Sequence, residues 1–172
     1  GSEMCIRDRL EDTQGNYLST VYVTHKIATQ SWQASGGNRR KEALPHWCYS
    51  RGVKYDDGLY LPTKKEPLID GISGATPHES FDIKLNPATA LKKFVVKIEI
   101  NHSTDFNEAF PKSAKDGEAN YSGGKEGSGQ PAIVYAANVD LSKGEKSFEA
   151  NLMGHSSPDG SSGAVSYTHL RA

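Results

Sequence analysis

Lys93-Phe94-Val95-Val96-Lys97-Ile98-Glu99-Ile100-Asn101 alternates with a period of two. Val96, Ile98 and Ile100 fall on one side, and Val95, Lys97 and Glu99 on the other. Successive side chains of a strand point to opposite faces, so this pattern predicts a strand with one strongly apolar face. Working outward, Ser80 to Leu85 repeats the alternation, with Phe81, Ile83 and Leu85 on one side. It is the clearest strand pattern in the chain. Tyr17 to Ile27 is crowded with β-branched and aromatic residues and predicts a third strand, apolar on both faces. The turn Asp12 to Asn16 precedes it.

Further along, Ala132 to Ala137 and Ser147 to Met153 read as two strands joined through a turn at Lys143-Gly144, a hairpin-like pair. Helix formers concentrate only between Arg39 and Ser50, where Asn38 is a cap and Pro45 interrupts. Ser113 to Gly129 is dense in Gly, Lys, Glu and Ser, and long for a structureless connection. These signals predict one mostly-β domain, an Ig-like or sandwich-type antiparallel fold with one short helical insertion around Arg39 to Ser50.

The chain ends have a different character. Residues 1–9, Gly-Ser-Glu-Met-Cys-Ile-Arg-Asp-Arg, and the tail 165–172, Val-Ser-Tyr-Thr-His-Leu-Arg-Ala, resemble peptide translated from sequencing adapter. Setting them aside as non-native leaves a single β-rich domain over 10–164, expected to be a fragment truncated at both ends, with at least one exposed edge strand. The full chain carries 20 Lys and Arg against 21 Asp and Glu. Without the ends the balance stays weakly acidic, so no basic surface points to nucleic acid. Cys48 is the one cysteine outside the ends, which argues against an internal disulfide or a cysteine-based metal site. No apolar run approaches membrane-spanning length, so the chain is not expected to span a membrane.

Chemistry concentrates in Asp70-Gly71-Ile72-Ser73-Gly74-Ala75-Thr76-Pro77. Asp-Gly and Ser-Gly favour turns, and Pro77 steers Thr76 away from helix, presenting its hydroxyl. Small neighbours let another molecule approach the backbone closely. The run resembles the acceptor motif of flavin transferases, in which Asp, two variable residues, Ser or Thr, Gly and Ala precede an acceptor Thr or Ser. Asp70, Ser73, Gly74, Ala75 and Thr76 fill every position. The resemblance implies FMN joined covalently to Thr76 through a phosphoester. The competing reading is a tight polar turn in which Asp70 bonds its own backbone.

Other chemistry is thinner. Gly71-Ile72-Ser73-Gly74-Ala75 misses the last glycine of a nucleophile elbow. His155, Ser156 and Asp159 invite a hydrolase reading, but a triad needs supported geometry rather than sequence proximity. Asp105, Asn107 and Glu108 are oxygen-rich without EF-hand spacing, and no metal ligand set is assigned. Lys64 and Lys65 are candidates to hold a phosphate. Trp32 and Trp47 either pack a helix onto the sheet or form a wall for a flat ring such as isoalloxazine.

Taken together, Leu44-Pro45-His46-Trp47, Arg51-Gly52, Asp70 to Pro77, Ile98 to Asn101, Gly129-Gln130-Pro131 and Gly154-His155-Ser156 resemble the DUF2271-like family of predicted periplasmic bacterial proteins of unknown function. That resemblance implies an extracytoplasmic, periplasmic location. It also implies a flavin transferase and a PepSY-type membrane protein as partners, and a role in electron transfer linked to iron uptake. The alternative is a non-enzymatic Ig-like binding or accessory module with a purely structural Asp70–Thr76 loop. A hydrolase using Ser73 or Ser156 is a third class.

Overall fold

A computed structural model describes residues 4–32, 39–69, 71–77, 79–85 and 90–167. The domain is mostly β. Seven strands form one sheet: β1 (Met4–Glu11), β2 (Tyr17–Thr24), β3 (Ile72–Gly74), β4 (Lys93–His102), β5 (Ile133–Asp140), β6 (Asn151–Ser156) and β7 (Val165–Ser166). Their order is β3-β2-β1-β4-β5-β6-β7. Every neighbouring pair is antiparallel except β2 and β3, which run parallel. The edges β3 and β7 are three and two residues long, which limits the backbone they offer to another chain.

The strand predicted from Lys93–Asn101 is β4, between β1 and β5. The turn at Asp12 closes the β1–β2 hairpin. The Asp12 carboxylate accepts from the Gln14 and Asn16 amides, and Gly15 takes a φ of +88°. The β5–β6 hairpin turns through a 3₁₀ segment, Leu141–Lys143, in which Asp140 accepts from the Ser142 amide.

Several expectations shift. Residues 4–9, set aside as part of a non-native end, lie in β1, which pairs with β2 on one side and β4 on the other. The strand crosses the boundary drawn at Leu10 without a break. Val165 and Ser166, in the other end, pair with β6, and residues 168–172 lie outside the described residues. The third predicted strand stops at Thr24 and gives way to a short helix α1 (His25–Thr29).

Helix α2 occupies only Pro45–Ser50 of the predicted insertion, with Pro45 in its first turn. Leu44, kept out of the helical region before the proline, separates it from the turn at 39–43. That turn is held by side chains instead: the Arg40 guanidinium donates to the Ser103 and Ser128 hydroxyls. Ser80 to Leu85 forms no strand in the structure. Its alternation turns Phe81, Ile83 and Leu85 toward the sheet, but the segment joins no ladder.

Both faces of the sheet carry packed side chains, in a sandwich-like layering. On one face α1, α2 and their connections enclose a core with Cys5, Val23, Ile27, Leu44 and Trp47. On the other, Leu10, Val21 and Tyr22 meet Ile83, Leu91 and Phe94. Cys5 and Cys48 are both buried in the first core. Among the described residues no helix is long and apolar enough to cross a membrane.

Candidate functional site

The acceptor-like loop enters the sheet at its edge. Asp70 lies outside the described residues. Ile72, Ser73 and Gly74 form β3 and pair in parallel with Tyr22, Val23 and Thr24. Ser73 is exposed on this strand. Gly74 lies close to Tyr22: a Cβ there would sit 3.2 Å from the Tyr22 hydroxyl, which would have to shift by a few tenths of an ångström. That hydroxyl donates to the Ala75 carbonyl at 2.6 Å. The next residue, Thr76, is partly exposed, and its Oγ1 donates to the Met4 carbonyl at 3.0 Å. The motif therefore folds as an edge strand followed by a tied-down extended segment, with the Thr76 hydroxyl still reachable.

The second face of the sheet opens into a cleft of about 650 Å³, whose wall residue Ile6 lies two positions along β1 from Met4, the acceptor of the Thr76 hydroxyl. Ile6, Phe81, Ile83, Val96 and Ile98 are among its walls, and among the described residues Asp8 is the one charged residue in the lining. Phe81 packs on Tyr22 with ring centroids 5.3 Å apart. Tyr22 thus touches both the acceptor loop and the cleft wall. Burial pushes the Asp8 carboxyl up to about 6, against the opposing pull of Arg7. The Tyr22 phenol is also raised, by its own burial and then by Asp8.

The tryptophans do not belong to this site. Trp47 has no exposed surface, and its indole N–H donates to the Thr20 hydroxyl at 3.0 Å. Trp32 is buried, donates to Gln30 and lies under the Arg40 guanidinium. Both pack in the helix-side core, so neither presents a wall to a ring. Lys64 and Lys65 line a different, polar depression with Arg39 and Asp57.

The remaining candidates resolve into structural contacts. Asp105 accepts from the Gln130 amide, and Asn107 from the Phe110 amide. No group of three or more potential metal-ligating His, Cys, Asp or Glu occurs among the described residues. The Ser156 hydroxyl is buried without a hydrogen-bond partner, and His155 Nδ1 lies against the Ser156 carbonyl rather than that hydroxyl. Ser157, not His155, holds Asp159.

Tyr22, Phe81 and Asp8 are site residues that the local patterns did not single out. The alternation in Ser80–Leu85 and in β4 identified both apolar rows, but not that they share one cleft. No family model, curated protein or solved structure matches the chain.

Proposed function

We propose that this protein is an extracytoplasmic electron-transfer protein that carries FMN joined through its phosphate to the Thr76 hydroxyl. One observation carries the reading. The chain fills every position of the acceptor motif, and its last hydroxyl is partly exposed. In the attachment step a bond forms from Thr76 Oγ1 to the flavin phosphorus. The bond from that phosphorus to the remainder of the donor nucleotide breaks, and the hydroxyl proton departs to the transferase or solvent. The bound flavin supplies the electron chemistry, and the chain contributes its position and surroundings. Asp70, Ser73, Gly74 and Ala75 form the stretch a transferase grips. The periplasmic location, the flavin transferase and the PepSY-type membrane partner belong to the same proposal and rest on the family resemblance.

The test is intact mass after co-expression with an active flavin transferase and export to the periplasm, beside Thr76→Ala. An FMN-sized increase confined to the parent supports the proposal. An unmodified parent, with the transferase active on another acceptor, rejects it.

A second reading, a non-enzymatic binding or accessory module, draws on the Tyr22–Ala75 and Thr76–Met4 hydrogen bonds. These give the loop a structural role without any cofactor. Leu152, 45% exposed on β6 opposite Tyr135, extends an apolar surface that a partner would cover. Unmodified Thr76 together with direct binding to a membrane redox protein would favour it.

A further inference from the structure

We infer that a flavin tethered at Thr76 seats its ring in the apolar cleft between Phe81–Ile83 and the Val96–Ile98 row of β4, with Asp8 against the ring's polar edge. This inference rests on the flavin reading above and adds the place of the ring and the residues that hold it.

Three observations converge on that place. The first is proximity. Thr76 bonds the carbonyl of Met4, and Ile6 of the cleft lies two residues further along β1, about 7 Å at the usual rise of a strand. A ribityl phosphate spans that distance comfortably. The second is chemistry. Among the described residues the lining is apolar apart from Asp8, matching a flat ring that is apolar on its faces and polar along one edge. A carboxylate there accepts from the ring's imide N–H. The third is size. A cleft of about 650 Å³ falls within the usual range for sites of small organic ligands. Tyr22 ties these together, since its hydroxyl fixes the loop at Ala75 and its ring packs against Phe81. The tryptophans are closed off in the other core and leave the cleft as the apolar seat beside the tether.

Two readouts on the loaded protein separate the seat from the tether. Intact mass reports attachment, and iodide quenching of flavin emission reports shielding of the ring. The parent protein is expected to gain the FMN mass and to be quenched several-fold less steeply than free FMN. Ile98→Trp, which fills the cleft, should keep the added mass and be quenched nearly as steeply as free FMN. Phe81→Ala, in an exposed segment outside the strand ladders, serves as the second variant and should move partway in the same direction. Attachment with quenching equal to free FMN overturns the cleft seat and leaves the tether standing. Shielding unchanged in both variants places the ring elsewhere and also overturns it. Absence of the added mass overturns the function and this inference with it.

Discussion

On the side of β1 and β4 that α2 covers, Arg7, Arg9, Glu11 and Glu99 are all at most 2% exposed. On the opposite side, Ile6, Leu10, Val96 and Ile98 border an open cleft. The charged face is closed and the apolar face is open, the reverse of simple hydrophobic sorting. The difference teaches that the helix layer is held by pairing as much as by apolar burial. The Glu99 carboxylate accepts from the His46 and Trp47 amides at 3.1 and 2.8 Å, satisfying two donors that the start of α2 would otherwise leave open. Arg9 donates to Glu11, and Lys97 reaches Glu11 at 2.8 Å. Arg9 also donates to His46 Nε2, so the neutral ring carries its proton on Nδ1 and gives it to the Gly163 carbonyl.

The network is incomplete at Arg7. Its guanidinium lies 3.7 Å from Glu99, an ion-pair distance too long for a hydrogen bond. None of its three side-chain nitrogens has a hydrogen-bond partner, and Arg9 Nη1 lacks one as well. Arg7 packs over the Trp47 ring instead. Orphaned buried donors are costly. The mismatch falls in residues 1–9, the segment that resembles translated adapter.

Breaking the closed face at its acid should have the largest effect. Glu99→Ala leaves Arg7 without its counter-ion and two α2 amides without an acceptor. The expected loss is about 3–5 kcal/mol in urea unfolding, and a loss below 1 kcal/mol would show that the pairing does not hold the layer. Arg7→Met should cost less. It removes the orphaned donors and keeps contact with Trp47, but it also takes the counter-ion from Glu99, so its loss is expected to stay below that of Glu99→Ala. A loss as large as that of Glu99→Ala would contradict the mismatch.

Acid titration sharpens the comparison, because His46 on the closed face and Asp8 on the open face are shifted in opposite directions. Burial, then Arg9, hold His46 down at about 3. The unfolded ring takes up a proton near its ordinary 6.5. The stability that neutral His46 contributes is therefore lost as pH falls from about 6.5 toward 3. Asp8, raised to about 6, binds its proton earlier in the fold than when unfolded. It adds stability as pH falls from about 6 toward 4. His46→Gln should thus show stability rising on acidification over that interval, and Asp8→Asn a steeper fall than the parent, both measured by unfolding midpoints. The smallest effect is expected on the open face. Leu152→Ser, at a position already 45% exposed, should stay within about 0.5 kcal/mol.

The β-rich class was legible in β4, where a two-residue period reports one-sided burial directly. The same signal misled at Ser80–Leu85, since alternation reports which side chains face the sheet and not whether the backbone pairs. Helix formers at Arg39–Leu44 lost to tertiary contacts: Arg40 and Glu42 are buried there, and Arg40 bonds serines from distant loops. β1 was hidden because its residues were set aside by resemblance, and nothing in Cys5-Ile6-Arg7-Asp8-Arg9 announces a central strand. The acceptor pattern was readable because it is contiguous. The cleft was not, because Ile6, Phe81 and Ile98 meet only after β1 and β4 pair and the 79–85 segment folds over them.

The hydrogen bond from Thr76 to the Met4 carbonyl sets an order of events for any modification of that oxygen. An ester has no proton to donate, so a loaded Thr76 would no longer fasten Met4, the first residue of β1. Attachment and docking of the strand's beginning then compete for one hydroxyl. A transferase would work fastest on chains whose N-terminal strand is still fraying, and slowest once the sheet has closed. If Thr76 is the acceptor, the contact that steadies the fold would also act as a clock on that modification.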